Sequence, residues 1–329
     1  MKPVAVLVSL VVLVLAGVGV GVFFLVDSDS GADSGPPPAT LPGPPVSPNP
    51  LTGDARPAGK ILAVKIDNVG TSVQARQQGL NSADLVYAIQ VEGGLSRLMA
   101  VYDSNHAPPT TGPVRSARQT DIPILAAYGH VNFAYSGAIT GLTKDLANAD
   151  LTSVTPLNAG SLFSNGGMDP TFVKPADIFA KFPDAVAAPD IGLRFAAAPA
   201  QPSGGTAAES ATVRMPSASF GFQWDGAKYL VSVDGRPAVT DGGQRDTTTN
   251  VIVQHVDVVP GKYTDHNAGH ADNEVFSVTT GNGTADVYRN GLVYHATWSK
   301  PTDTSPTTFA HDGAQMTLQP GRTWIVLAP

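Results

Sequence analysis

The stretch Ile61-Leu62-Ala63-Val64-Lys65-Ile66-Asp67-Asn68 decides the fold. A short apolar run that includes β-branched residues and ends in polar residues reads as a strand buried on both faces, over 61–66. Two further runs follow at close spacing, Asp84-Leu85-Val86-Tyr87-Ala88-Ile89 and Arg97-Leu98-Met99-Ala100-Val101-Tyr102. Asn132 to Tyr135 reads as one more short strand. Helices are expected over Gln119 to Tyr128, with Pro123 tolerated near its first turn, over Thr140 to Ala149, and over Pro175 to Lys181. Mixed strands and helices make residues 59–198 an α/β or α+β domain.

Outward from this domain the composition changes. Residues 199–210, with Pro202-Ser203-Gly204-Gly205, read as a linker. The remainder, 211–329, is strand-rich, with runs at 211–215, 220–224, 229–233, 251–259, 276–279, 285–288, 292–297 and 323–327. Asp225-Gly226, Asp234-Gly235, Asn282-Gly283, Asn290-Gly291 and Asp312-Gly313 are favoured two-residue hairpin loops, so this part is expected to be mainly antiparallel β.

Before the first domain, Val4 to Val26 is uncharged. At ~1.5 Å per residue it spans ~34 Å, slightly more than the hydrocarbon core of a bilayer. Lys2 precedes it and Asp27, Asp29 and Asp33 follow, an asymmetry that places the terminus in the cytoplasm and the bulk of the chain outside. The alternative, a cleaved signal peptide, wants a shorter apolar run and an Ala-x-Ala-like site, and the run ends Phe23-Phe24-Leu25-Val26. Residues 1–26 are therefore read as a single-pass transmembrane anchor and 27–58, rich in Pro, Gly and Ser, as an extended linker.

Composition excludes several classes. Cysteine is absent, which removes disulfides, thiolate metal sites, cysteine nucleophiles and a thioether-linked lipid. Lys and Arg number 20 against 27 Asp and Glu, a net charge of −7 that argues against a nucleic-acid partner. Asp265-His266-Asn267-Ala268-Gly269-His270-Ala271-Asp272 reads as a loop rather than a zinc helix. Ser164-Asn165-Gly166-Gly167 lacks the lysine of a phosphate loop, and Ser136-Gly137 lacks the flanking glycines of a nucleophile elbow. Trp224, Trp298 and Trp324 could line a glycan platform or fill core.

Two charged clusters remain. Asp67 and Asn68 end the first strand; Asp84, Glu92 beside Gly93-Gly94, Arg97, Arg115, Ser116 and Arg118 follow. The chain has only three Glu, which makes Glu92 conspicuous. Arg97, Arg115, Ser116 and Arg118 are candidates for holding an anion, the last three lying just before a helix start, and Asp67, Asn68, Asp84 and Glu92 are candidate acidic partners or metal ligands. The alternative is an internal ion-pair network, with Gly93-Gly94 a simple hairpin turn.

These motifs in order (Ala63 to Asn68, Ala83-Asp84-Leu85-Val86-Tyr87, Val91-Glu92-Gly93-Gly94, Arg97 and Gly112-Pro113-Val114-Arg115-Ser116-Ala117-Arg118) resemble the YerB-like family. So do Asn250-Val251-Ile252-Val253-Gln254, Arg289-Asn290-Gly291, Thr297-Trp298-Ser299-Lys300 and Pro320-Gly321-Arg322-Thr323-Trp324-Ile325. The resemblance covers about residues 59–327. It implies a bacterial envelope protein with a domain of unknown function and a second β-rich domain; its members are usually lipoproteins. This chain lacks the lipid-bearing Cys, with the membrane helix in its place, and carries Gln77 where the pattern has proline. A looser similarity, in the order Asp84 then Arg115 and Arg118, is to LytR–CpsA–Psr enzymes, which hold a polyprenyl pyrophosphate.

Three functions are consistent with this reading. One is a membrane-tethered envelope protein binding an anionic wall component or a protein partner without catalysis and without a cofactor. Another is an envelope enzyme acting on a phosphate-linked or glycan substrate, with Mg as a cofactor only in that case. The third is a structural scaffold. The first is favoured.

Overall fold

The computed structural model describes residues 48–165, 171–198, 200–265 and 272–329. The expected membrane anchor and residues 27–47 of the expected linker lie outside them, as do His266 and His270 and the glycines of Ser164-Asn165-Gly166-Gly167. Among the described residues no helix is long and apolar enough to cross a membrane.

The described residues form one compact unit. The amino-terminal half is mixed α/β and holds β1 (Ile61–Asp67), β2 (Leu85–Gln90), β3 (Ser96–Asp103), β4 (Thr111–Val114), β5 (Val131–Ala134), β6 (Leu151–Val154), β7 (Phe163–Asn165) and β8 (Thr171–Val173). The carboxyl-terminal half is mainly antiparallel β. Part of the stretch read as linker is packed into the fold: Asn49, Leu51 and Thr52 are buried.

Both halves contribute to one 15-stranded sheet among the described residues. Its order runs from Ala314–Gln315 through Thr308–His311, Leu292–Lys300, Gly281–Arg289, Asn250–His255 and Thr323–Ala328 to β2, β3, β1, β4, β8 and β7. The last strand of the chain is the joint. It pairs in parallel with Asn250–His255 on one side and with β2 on the other, Trp324 facing Val251 and Val86. A strand with partners on both edges leaves no open ladder, and all six of its residues are buried. Arg322 reinforces the joint by donating to the Leu80 carbonyl at 2.7 Å and to Asp246 at 2.5 Å.

The pleat sends Leu62, Val64 and Ile66 toward a second sheet built on Ser210–Met215, Ala218–Trp224 and Tyr229–Val233. Ile61 and Ala63 face the helix Asp121–Leu125 and the tighter turn Ala126–Tyr128 that continues it. Lys65 and Asp67 share that second face by the same alternation.

The strands read as 61–66, 84–89, 97–102 and 132–135 are present within one or two residues of their expected ends. Asp234-Gly235, Asn290-Gly291 and Asp312-Gly313 have positive φ at both residues, as a two-residue hairpin loop of that type requires. Asn282-Gly283 is not a turn: it lies inside the strand Gly281–Arg289. Gly283 is needed there because a Cβ would sit 2.6 Å from Trp298 Nε1. The single strand expected over 251–259 is two strands, Asn250–His255 and Val258–Asp265, because the chain leaves the main sheet and pairs with Asp272–Ser277 in a separate hairpin. The helix expected over 119–128 is shorter, and β6, with Thr152 and Ser153 at its centre, is an addition. Trp298 and Trp324 are core residues, and Trp224 packs on Tyr229 with ring centroids 4.9 Å apart.

Trp324 packs between Phe220 and Phe222, centroids 6.0 and 5.8 Å away. Replacing it with alanine is expected to cost about 3–5 kcal/mol. Urea unfolding followed by circular dichroism should show one transition at lower midpoint, since both halves hang on this strand; two separated transitions would contradict a shared sheet.

Candidate functional site

The outer edge of β1 is divided. Its first half pairs in parallel with β5, Leu62 facing Asn132 and Val64 facing Ala134, and β5 pairs in parallel with β6. Its end pairs antiparallel with β4, through Ile66 and Val114. The sheet therefore forks at the carboxyl ends of three parallel strands, the place where open α/β sheets leave a crevice. The segment Arg115–Arg118 lies in the fork. The Arg115 N–H donates to the Lys65 carbonyl at 2.9 Å, the Ala117 N–H to Gly137, and the Ser136 N–H to the Arg115 carbonyl.

Side chains from β1, β3, the β2–β3 turn and this segment converge there. The register sets Arg97 opposite Asp67. Asp67 is nearly buried and lies 2.6 Å from Arg115 Nε and 3.4 Å from Arg97, so two guanidinium groups share one carboxylate. Arg118 Nε lies 2.6 Å from Glu92. Side-chain exposure is 16% for Arg97, 33% for Arg115 and 18% for Arg118. Burial lowers the Arg97 pKa, Asp67 opposes that shift, and the fields of Arg118 and Arg115 add to the lowering. Arg115 and Arg118 therefore both lie near Arg97.

Beneath them Lys65 and Asp121, both fully buried, pair at 2.6 Å. Burial pulls the Lys65 pKa down against the attraction of Asp121. The other Asp121 oxygen accepts the Arg118 N–H at 2.7 Å, and Glu274, from the hairpin strand Asp272–Ser277, accepts the Gln119 N–H at 2.7 Å. The N–H groups of Arg118 and Gln119, just before the short helix, are therefore held by the protein's own carboxylates. Burial pushes the Glu274 carboxyl up, opposed by the Gln119 N–H and by Arg118.

The remaining candidates fall in two places. Asn68 donates to Ser96 Oγ at 2.9 Å and accepts from Gln77 Nε2, which also donates to the Asp67 carbonyl at 2.8 Å. Gln77 thus braces the end of β1. The Ser116 hydroxyl faces Gly137, where a Cβ would lie 3.8 Å from it. Gly93 and Gly94, both at positive φ, form the β2–β3 turn that presents Glu92. Asp84 does not join the cluster. It precedes β2 at the opposite end, about 17 Å from the Ile89–Arg97 row at ~3.3 Å per residue, so the chain order shared with LytR–CpsA–Psr enzymes is not a spatial arrangement here. Its Oδ2 accepts the Asp103 N–H at 2.7 Å, while Asp103 holds Asn49 and Gly59. Lys65, Asp121 and Glu274 belong to the cluster but were not among the candidates; the scarcity of Glu was the signal for Glu274. Among the described residues no group of three or more His, Cys, Asp or Glu is placed to hold a metal ion.

The family described as "Protein of unknown function (DUF3048)" matches in two parts, its N-terminal domain over residues 50–182 and its C-terminal domain over residues 211–325. The chain belongs to this family. It is 34% identical over 88 residues to "Putative lipoprotein YerB" of Bacillus subtilis, a match spanning 26% of each protein. The crystal structure of YerB protein from Bacillus subtilis superposes with a TM-score of 0.68 over 85% of this chain and 96% of that one, at 21% identity, a likeness of fold.

Asp84 carries a pH prediction. Burial raises its carboxyl from 3.8 to about 7. A carboxyl raised by folding makes the folded state bind the proton more tightly, so stability falls as pH rises from about 4 through 7 and is level above. Asp84→Asn keeps an acceptor for the Asp103 N–H. It should be more stable than the parent at pH 8, by at most ~4 kcal/mol, and equal to it near pH 4. Urea midpoints of both proteins at the two pH values check this; an equal difference at both would contradict it.

Proposed function

We propose that this member of the DUF3048 family is an extracytoplasmic cell-envelope protein, tethered by its single amino-terminal membrane helix, that binds an anionic envelope component through Arg97, Arg115 and Arg118. Support for the location comes from the apolar run Val4 to Val26 with its charge asymmetry, and from the lipoprotein description of the Bacillus relative. The ligand is a cell-wall component or an acidic segment of an envelope protein. Nucleic acid is not a partner in this reading, and no cofactor takes part.

The observation that carries the binding reading is the shared Asp67. Asp67 sets the Arg97 and Arg115 guanidinium groups side by side, and Arg115 is one-third exposed there. Guanidinium groups are suited to the planar oxygens of carboxylate and phosphate. The chain's overall charge of −7 gives no long-range attraction for polyanions, so recognition is local.

Thermal unfolding of the purified chain with pyrophosphate, polyprenyl-phosphate analogues, wall fragments and anionic glycans tests it, with and without magnesium. A ligand at 100 times its Kd stabilises by about 2.7 kcal/mol. At least one ligand should raise the melting temperature by several degrees, and Arg115→Ala should abolish the shift while folding normally. No shift from any ligand, together with an Arg115→Ala protein that melts early, would instead assign the arginines to internal bracing. Magnesium dependence with turnover would favour an envelope enzyme.

Topology has its own check. Protease added to intact cells should remove the folded part of the chain; full protection would overturn the extracytoplasmic placement.

A further inference from the structure

Among the described residues of the fork, Glu274 is the carboxylate supplied by a separate hairpin. It sits on the hairpin formed by Val258–Asp265 and Asp272–Ser277, which pair with each other. This hairpin is a separate two-stranded sheet. The ladder shifts register between Pro260 and Thr264, and Gly261 lies so close to Glu274 that a Cβ there would meet its carbonyl oxygen at 2.7 Å.

The seating of Glu274 is incomplete. The residue is fully buried; Oε1 accepts the Gln119 N–H, and Oε2 has no hydrogen-bond partner among the described residues. Arg118 Nε, close to Glu92, is buried without a well-aligned acceptor. A buried carboxylate with an idle oxygen is a costly arrangement. The hairpin is otherwise pinned by polar contacts: Lys262 N–H to Gln119 Oε1 at 2.8 Å, Ser277 N–H to Thr120 Oγ1 at 3.0 Å, and Tyr263 hydroxyl to Asp145 at 2.7 Å.

We infer that Glu274 is an internal stand-in for the ligand. An external carboxylate or phosphate takes the Gln119 N–H and the edge of Arg118 only when the hairpin lifts Glu274 away, so ligand binding and hairpin seating exclude each other. This rests on the anion-binding reading and adds a built-in competitor to it.

The absence of cysteine makes a clean lock available. Gly141 lies against the Tyr263 ring, where a Cβ would be 2.2 Å from it. Gly141→Cys with Tyr263→Cys therefore puts one thiol on the body and one on the hairpin. Pyrophosphate binding is measured by calorimetry on the full chain, oxidised and reduced, beside the parent and Glu274→Gln. Binding at least tenfold weaker in the oxidised form and restored by reduction is expected, as is tighter binding by Glu274→Gln. Amide exchange at Ser277 should quicken when the parent binds pyrophosphate. Equal affinity in the oxidised and reduced forms, or unchanged protection at Ser277, would overturn the competition while leaving the anion site standing. No binding by the parent, the reduced variant or Glu274→Gln would contradict the anion site itself, and this inference with it.

Discussion

The strand Thr323–Ala328 lies between strands contributed by opposite halves of the chain, parallel to both. Parallel neighbours cannot be joined by a tight turn, so each must be brought in by a long connection. Here the connection is most of the protein. Until the last residues arrive, β2 has an open edge and Trp324 has no place between Phe220 and Phe222. Once they arrive, β2 is fixed, and with it the β2–β3 turn carrying Glu92 and the row of β3 that sets Arg97 opposite Asp67. The charged fork near the start of the fold thus depends on the end of the chain.

The fork itself is a problem of charge in a dry place. Lys65 occupies a position whose neighbours on the same face are core, and it is tolerated because Asp121 meets it there. Removing one partner of such a pair typically costs about 3–5 kcal/mol. Above it Asp67 meets Arg97 and Arg115, and Glu92 meets Arg118, in pairs that are partly wetted, while Glu274 is buried with an oxygen to spare. Guanidinium groups that keep an edge in solvent are what a further anion reaches.

Much of this was legible in the sequence because short-range signals are strong. Continuous apolar runs marked β1, β2 and β3, and Asp-Gly and Asn-Gly pairs marked hairpins where both residues take positive φ. The same pair failed at Asn282-Gly283, where the glycine serves packing beneath Trp298, and the apolar run 251–259 concealed a change of sheet that no local preference records. In the site, Asp67, Arg97, Arg115, Arg118 and Glu92 were nameable, and the strand register brings them together. Asp84 was named alongside them and stands at the other end of the sheet, since spacing along a chain carries no strand direction. Glu274 is more than a hundred residues away from its partners; only the rarity of glutamate in this chain set it apart.

The central claim is that Arg97, Arg115 and Arg118 act together on an external anion. The most direct measurement follows the Nε–Hε resonances of the arginine side chains while pyrophosphate is added. Those of Arg97, Arg115 and Arg118 should move together and saturate at one concentration, while those of Arg289 and Arg322, held by backbone carbonyls and Asp246, stay in place. Resonances that do not move, or that all drift in proportion to ionic strength, would contradict the account.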